Sequence, residues 1–244
     1  MISVTKHIKS LLMGRYASSE AYIAYLRSLG MVIGDQTCIY APKNCFIDTT
    51  RPWMIEIGKN VHITYGVTIL THGYDWSVVK GMYGHVLGSA GHVFIGDNVF
   101  IGAKATILQG VTIGSNVVIG AGTLVNKDVP DNSVVVGNPQ RIVCDIDTYL
   151  EKRQAAQISE AADLYDCWRR NSPEGQKGEV PAKELFREFF WLFEERGSDG
   201  FEVLEYENVM ALCGTYDKSV DRYERTSRAF DCYDNFLKKL ESMR

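Results

Sequence analysis

The feature that most limits how this chain can fold is an aliphatic residue at every sixth position. The unbroken run comprises Ile95, Ile101, Ile107, Ile113, Ile119 and Val125. A period of six fits neither an α-helix, which repeats at about 3.6 residues, nor an alternating strand, which repeats at about 2. It fits a short strand followed by a corner. Because such a unit buries its apolar side only against copies of itself, the repeat predicts a solenoid of stacked coils.

The repeat is interrupted upstream of this run. The same phase occurs at Ile33, Ile39, Ile57, Ile63 and Ile69. An aliphatic residue is then due at position 75, but Asp75 stands there and the pattern resumes only at Ile95. We therefore predict about five coils between residues 33 and 137, with a loop over residues 75–92 that leaves the solenoid. His72 lies at the root of this loop, where a rigid scaffold can hold one side chain toward a cleft.

The residues after the loop carry a family resemblance. The stretch VFIGDNVFIGAKATILQGVTIGSNVVIGAGTLVNKDVPDNSVVVGNPQRIV is similar to the coenzyme A half of hexapeptide-repeat acyltransferases. The likeness is to the sugar and xenobiotic O-acetyltransferase branch, which includes the maltose and galactoside acetyltransferases, and it extends over about residues 30–145. It implies a mainly β protein built on a left-handed parallel β-helix.

Helical patterns flank the solenoid on both sides. Residues 18–29, SSEAYIAYLRSL, have Ser caps and helical periodicity. Helical segments are also predicted in the C-terminal part, at residues 147–170, 182–196, 201–212 and 216–241. There we expect the aromatic run LFREFFWLFEE to be buried against other helices or a neighbouring subunit. The predicted domains are an N-terminal helical cap over 1–30, a β-helix acyltransferase domain over 31–145 and a C-terminal α-helical extension over 146–244.

His72 is the predicted catalytic residue. An imidazole suits general-base catalysis because it exchanges a proton near neutral pH. In the family, a histidine shortly before the protruding loop deprotonates the acceptor, so the resemblance implies this role for His72. The alternative is a histidine that only packs at a coil corner.

The resemblance also implies where acetyl-CoA, the co-substrate, binds, with no metal required. The expected cofactor-binding residues are Phe100, Gly102, Ala103, Ala121, Lys127 and Arg141. Ala103 and Ala121 would line the pantetheine arm, and Lys127 and Arg141 would meet the nucleotide phosphates. Solvated surface charges are the alternative for the two cations. Many relatives have Trp where this chain has Phe100, and Thr where it has Asn126.

The loop is expected to determine acceptor specificity, because aromatic and polar groups are typical of sugar recognition. The predicted acceptor-binding residues are Asn44, Asp48, Tyr74, Asp75, Trp76, Tyr83 and His85. Asn44 and Asp48 are included because relatives place a transition-state-supporting Asn in that coil. Asp75 has a second candidate role, in which it orients His72 through the other ring nitrogen. For each aromatic residue, simple packing of the loop is the alternative.

Composition narrows the partners and the location. The 244 residues have a net charge of −4, which favours neither nucleic acid nor an anionic membrane surface. No apolar stretch is long enough for a signal peptide or a membrane span. The six cysteines form no C-x-x-C pair and fit reduced thiols. We therefore expect a cytoplasmic protein.

The resemblance, taken with these patterns, implies a homotrimeric O-acetyltransferase that moves an acetyl group from acetyl-CoA to a hydroxyl of a saccharide or polysaccharide precursor. Its active sites would lie between adjacent solenoids. Amino-sugar N-acetylation and a non-catalytic trimeric scaffold are the alternatives. A third alternative is a metal enzyme similar to the γ-carbonic anhydrases, with ligands drawn from His62, His72, His85 and His92.

Overall fold

A computed structural model describes residues 13–243 of the chain. Residues 1–12, which open the predicted helical cap, lie outside the described part. The chain divides into two compact units, Met1–Leu150 and Glu151–Arg244. The predicted domain limits at residues 30 and 145 stay predictions.

Within its described residues, the first unit is a stack of coils whose short parallel strands form three sheets. The first sheet contains β1 (Val32–Ile33), β4 (Ile55–Ile57), β9 (Val93–Ile95) and β12 (Thr112–Ile113). The second contains β2 (Cys38–Ile39), β5 (Val61–Ile63), β10 (Val99–Ile101), β13 (Val117–Ile119) and β15 (Ser133–Val136). The third contains β3 (Phe46–Ile47), β6 (Thr68–Ile69), β11 (Thr106–Ile107) and β14 (Leu124–Val125). This is the predicted parallel β-helix, while the handedness of its coil stays a prediction.

The sixfold aliphatic residues form the core of this unit. Register places Ile57 beside Ile95 and Ile95 beside Ile113, so equivalent residues of successive coils stack in columns. Ile95 and Ile113 are fully buried, and Ile57 is 2% exposed. Because burying one such side chain is worth about 1.5–3 kcal/mol, the columns are the main source of stability.

Three corners join the sheets of each coil. We call the bend from the first to the second sheet the first corner, the bend from the second to the third sheet the second corner, and the bend from the third sheet to the next coil the third corner. At the first corner, Asn60, Asn98, Asn116 and Asn132 have positive φ values and form a ladder of Nδ2–H to Oδ1 hydrogen bonds of 2.9 Å. Asparagine tolerates the left-handed conformation better than most residues, so these four side chains both permit the turn and link successive coils.

The two ends of the stack are covered. Helix α1 (Ser19–Ser28) begins after Ser18, whose side chain accepts a hydrogen bond from the N–H of Ala21. The Arg27 guanidinium donates to the carbonyl of Ile33 in the first coil. At the other end, β16 (Arg141–Asp145) pairs antiparallel with β15 and ends the run of parallel strands. Both devices protect strand edges that would otherwise pair with other chains.

The insertion leaves the stack at the third corner. Strands β7 (His72–Gly73) and β8 (Ser89–Ala90) pair antiparallel at its root, and helix α2 (Trp76–Tyr83) lies between them. No residue of α2 is buried. The predicted loop over 75–92 therefore contains a helix that the sixfold pattern did not indicate.

The second unit is helical, as predicted for the C-terminal extension. Its chain follows α3 (Ile146–Asn171), α4 (Pro173–Gln176), α5 (Leu204–Ala211), α6 (Tyr216–Glu224) and α7 (Tyr233–Ser242). Among residues 13–243, none of the helices is both long enough and apolar enough to cross a membrane.

Two of the helical predictions in this unit are wrong. Residues 182–196 form short 3-10 turns at Lys183–Phe186 and Phe190–Leu192 instead of one helix. Residues 216–241 form two helices, because the backbone N–H of Phe230 donates to the carbonyl of Leu192 and holds the intervening segment out of helical conformation.

The aromatic side chains explain these exceptions. Phe190 stacks on Tyr206 with ring centroids 4.4 Å apart, and Phe186 meets Phe236 edge-on at 5.0 Å. Each ring thus has a different partner within the unit. Such tertiary contacts outweigh the modest helix propensity of Phe and Trp, although the predicted burial of the run holds for these rings.

Candidate active site

His72 and Asp48 meet at the third corner. Asp48 follows β3, and His72 follows β6, the strand that pairs with β3 in the next coil. The Nδ1 atom of His72 lies 2.8 Å from Oδ2 of Asp48. The His72 side chain is 33% exposed, whereas that of Asp48 is 2% exposed. The ring therefore joins a buried carboxylate to the protein surface.

Five donor groups among the described residues surround the Asp48 carboxylate. The N–H and hydroxyl of Thr50 donate to Oδ1 at 2.9 and 2.7 Å. The N–H of Thr71 lies 3.3 Å from Oδ2, and the Thr71 hydroxyl and His72 also contact this oxygen. Burial alone would raise the pKa of Asp48, but the hydrogen bonds from Thr50, Thr71 and His72 outweigh it and hold that pKa well below its usual range.

This arrangement determines the tautomer of His72. An ionised carboxylate only accepts hydrogen bonds and has about four lone-pair sites, so Asp48 has no proton to offer the ring. Nδ1 of His72 must therefore be the donor to Asp48, which leaves the lone pair of the neutral ring on Nε2. A partly exposed imidazole that carries its lone pair on Nε2 and donates from Nδ1 to a carboxylate is suited to act as a general base.

The predicted acceptor residues fall into three groups. Tyr74 and Trp76 lie two and four residues after His72, and their rings lie 4.7 Å apart. Tyr83 and His85, at and just beyond the end of α2, are exposed. Asn44 lies at the second corner of the first coil, away from His72.

The two carboxylates differ in their relation to His72. Asp48, which was predicted to bind the acceptor, lies behind the imidazole ring. Both of its carboxylate oxygens are hydrogen-bonded to other residues of the protein. Asp75 precedes α2 as an exposed residue. Nδ1 of His72 donates its hydrogen bond to Asp48, and Asp75 makes no bond to this ring among the described residues.

Three of the residues predicted to bind acetyl-CoA, Gly102, Ala103 and Ala121, lie together at the second corner. The N–H of Gly102 donates to Ile119 at 2.8 Å, and the carbonyl of Ala103 accepts from Gly122 at 2.8 Å. A Cβ on Gly102 would lie 2.5 Å from the backbone nitrogen of Ala121, so close stacking of the coils itself requires glycine there.

The other three residues predicted to bind acetyl-CoA lie farther apart; they are Phe100, Lys127 and Arg141. Phe100 is 43% exposed in the second sheet, beside His62 and Val118. Lys127 follows β14 at the third corner, and Arg141 opens β16. The Gln140 side chain donates to the carbonyl of Lys127 at 2.9 Å, which brings the backbone of Lys127 close to the residue before Arg141.

The predicted catalytic residue and the small residues predicted to line the pantetheine arm therefore occupy two different corners of one solenoid. His72, Asp48 and the loop lie at the third corner, whereas Ala103 and Ala121 lie at the second. These corners are opposite ends of the third sheet. One chain alone does not bring the histidine to the predicted pantetheine edge.

Thr50 and Thr71 were not predicted from the sequence. Thr71 is fully buried and directly precedes His72, but a single threonine before a histidine carries no signal in a lone sequence.

The four histidines of the metal-enzyme alternative are separated. His62 bonds Tyr40 and Asn60, and His92 lies 3.3 Å from Glu56. In the part of the chain that the structure describes, no three His, Cys, Asp or Glu side chains are grouped as metal ligands would be.

Known proteins resemble the first unit. Residues 92–127 match the family described as bacterial transferase hexapeptide (six repeats). Protein CapG of Staphylococcus aureus is 41% identical over 127 residues, which cover 52% of this chain and 73% of CapG. The chain belongs to the hexapeptide-repeat transferases. YvoF of Bacillus subtilis (strain 168), which carries a provisional acetyltransferase name, is 38% identical to this transferase over 139 residues, covering 57% of the chain and 72% of YvoF.

A solved structure is also similar to this transferase. The hexapeptide-repeat-containing acetyltransferase VCA0836 from Vibrio cholerae is 26% identical, with a TM-score of 0.46, and the match covers 59% of this chain and 89% of that one. The predicted membership of the hexapeptide-repeat acyltransferases, and with it the prediction of an acetyltransferase enzyme, is confirmed by the relatives of this transferase.

Proposed function

We propose that this transferase moves an acetyl group from acetyl-CoA to a hydroxyl of a saccharide or polysaccharide precursor, with His72 as general base. The observation that carries the proposal is the pair formed by His72 and the buried, ionised Asp48. Acetyl-CoA as the donor agrees with the acetyltransferase relatives and with the complex that VCA0836 forms with it. The left-handed coil and the cytoplasmic location expected from the sequence remain parts of this proposal.

The proposed chemistry is direct transfer. Nε2 of His72 accepts the proton of the acceptor hydroxyl while that oxygen bonds to the acetyl carbon. When the carbon–sulfur bond breaks, the imidazolium returns the proton to the departing thiolate sulfur. Asp48 keeps Nδ1 protonated throughout and stabilises the imidazolium between the two transfers. It is a positioning residue, because it touches the base and not the reacting atoms.

The position of the donor edge supports a site built from two copies of the chain. His72 lies at the third corner and Ala103 at the second, so a second solenoid must bring its own second corner to His72. A closed threefold ring repeats this head-to-tail contact without leaving an unpaired surface, which supports the expected homotrimer.

Exposed aromatic side chains near the third sheet also support such an interface. Phe46 in β3 is 59% exposed, Trp53 near the third corner is 68% exposed and Tyr65 at the second corner is 51% exposed. Large exposed apolar patches often mark protein–protein interfaces. A neighbouring solenoid packed on this face would bury these side chains and would also bring its own second corner to His72.

The loop next to His72 supports a saccharide acceptor. Tyr74 is 71% exposed and Tyr83 is 67% exposed, so their rings offer flat apolar surfaces. Asp75 and His85 supply polar groups on the same loop. Sugars present both apolar ring faces and hydroxyl groups, and this combination of side chains suits both.

Incubation of the full chain with acetyl-CoA and a panel of saccharides tests the proposal. We expect release of free coenzyme A thiol that depends on the saccharide, and a product that gains one acetyl group labile to mild alkali, as esters are. An alkali-stable product formed only from amino sugars would replace O-acetylation by N-acetylation. Absence of acetyl-CoA binding in calorimetry would favour the scaffold.

A further inference from the structure

We propose that Thr71 and Thr50 are positioning residues that hold the Asp48 carboxylate in the single orientation that serves His72. This inference rests on the proposed role of His72 as the base. The two threonines align His72 by holding Asp48 in place, and neither threonine was predicted from the sequence.

Thr71 links the base and the acid through one peptide unit. Its hydroxyl and the Nδ1 atom of His72 both contact Oδ2 of Asp48, and the hydroxyl oxygen lies 3.4 Å from Nδ1. The side chain is fully buried, so water cannot replace the hydroxyl. As a β-branched residue, Thr71 also has a restricted χ1 angle, which fixes the direction of its O–H.

Thr50 holds the other carboxylate oxygen. Its N–H and its hydroxyl donate to Oδ1 of Asp48 at 2.9 and 2.7 Å. Rotation of the carboxylate about its Cβ–Cγ bond would break contacts with both threonines at once. The plane of the carboxylate is therefore set before a substrate binds, and the imidazole ring is aligned through it.

Loss of the hydroxyl is expected to lower kcat more at Thr71 than at Thr50. Thr71→Val keeps the shape of the side chain but removes the donor that shares Oδ2 with His72. Each variant keeps a backbone N–H on its carboxylate oxygen, but that of Thr50 lies 2.9 Å from Oδ1 whereas that of Thr71 lies 3.3 Å from Oδ2, so the Thr71 hydroxyl is the harder one to replace. We expect kcat to fall about 10- to 100-fold for Thr71→Val, and less for Thr50→Val, with KM for acetyl-CoA unchanged.

The experiment compares Thr71→Val with Thr71→Ser and with Thr37→Val. Thr71→Ser retains the donor and should restore most of the lost kcat. Thr37 is a matched control, because this buried threonine donates to the carbonyl of Gly58 at the first corner at 2.8 Å, away from the site. Kinetics are read together with the nitrogen-15 spectrum of labelled histidine, which distinguishes a ring protonated at Nδ1 from one protonated at Nε2.

We expect Thr71→Val to lower kcat and to reduce the population of the Nδ1-protonated ring, while Thr37→Val changes neither. Wild-type kcat and tautomer in Thr71→Val, with His72→Ala inactive, would overturn the inference and leave the proposed function standing. The same conclusion would follow if Thr71→Val lowered only the melting temperature, as a structural threonine does. Full activity of His72→Ala would instead remove the proposed function itself.

Discussion

Replacement of His72 by alanine is expected to lower kcat for acetyl transfer by about 10²- to 10⁴-fold, the usual contribution of a general base. Acetyl-CoA should still bind with wild-type affinity, because the predicted donor edge lies at the second corner and does not include this ring. The side chain is partly exposed, so its loss leaves only a small defect in packing. Thiol release measures kcat, and calorimetry measures donor binding.

Two controls make this result specific. His92→Ala removes a histidine at the last position of the loop, whose ring lies 3.3 Å from Glu56 and does not contact Asp48 in the described part of the chain, and should lower kcat far less than His72→Ala. Free imidazole added to His72→Ala should restore part of the activity, because it can occupy the vacated space and accept the same proton. Wild-type turnover in His72→Ala would refute the base assignment.

Replacement of Asp48 by asparagine is expected to lower kcat by about 10²- to 10⁴-fold through the tautomer of His72. An asparagine amide must place its NH₂ group among donors from Thr50, Thr71 and His72. The least costly solution makes Nδ1 of His72 an acceptor and moves its proton to Nε2. The ring then has no lone pair for the acceptor hydroxyl, even though it stays in place.

The pH dependence of stability gives a second measurement on Asp48→Asn. Because the pKa of Asp48 is lower in the folded chain than in the unfolded chain, the unfolded state binds more protons in acid. The carboxylate thus contributes its full stability above the unfolded pKa of about 4, and that contribution is lost as the pH falls below it. The free energy of unfolding of the wild type should therefore fall more steeply in acid than that of Asp48→Asn.

These two measurements separate an effect on catalysis from an effect on folding. Circular dichroism at neutral pH confirms that the variant is folded before kcat is compared. A folded Asp48→Asn variant with wild-type kcat, or with an unchanged Nδ1-protonated ring, would contradict the role of Asp48 in setting the tautomer.

Much of the first unit was predictable from the sequence because a solenoid repeats one physical rule. The aliphatic side chain at every sixth position points inward, so the period alone identifies Ile95 and Ile113 as core residues, and both are buried. The break at Asp75 located the insertion for the same reason. Ser18 also marked the start of α1, since capping depends only on neighbouring residues.

The pairing of His72 with Asp48 was not predictable in the same way. It depends on which residues of two successive coils meet at the third corner, and irregular turns at Pro42–Asn44 and Pro52–Met54 flank Asp48 on both sides. A sixfold period does not determine register across such turns. Thr71 shows the limit most clearly, because its role follows only from the carboxylate that faces it.

The second unit shows a different limit. Helical periodicity over residues 182–196 is present in the sequence, yet Phe186 and Phe190 pack on rings from different segments, Phe236 and Tyr206, and the backbone follows those contacts. A pattern along the chain reports which side chains are apolar. It does not report whether one flat surface or several separate pockets receive them.

Co-expression of two inactive variants tests most directly whether the site combines His72 of one chain with the donor edge of another. Chains that carry His72→Ala lack the base. Chains that carry Ala121→Trp have an exposed alanine replaced by a ring that fills the proposed pantetheine edge. Each variant expressed alone should be inactive, and both should be folded by circular dichroism.

Mixed oligomers, isolated through a different affinity tag on each variant, then decide the question. In a threefold ring that contains both variants, one of the three sites pairs an intact His72 with an intact donor edge, so about a third of wild-type activity should return. No activity in verified mixed oligomers, or full activity of Ala121→Trp alone, would contradict a site shared between two copies.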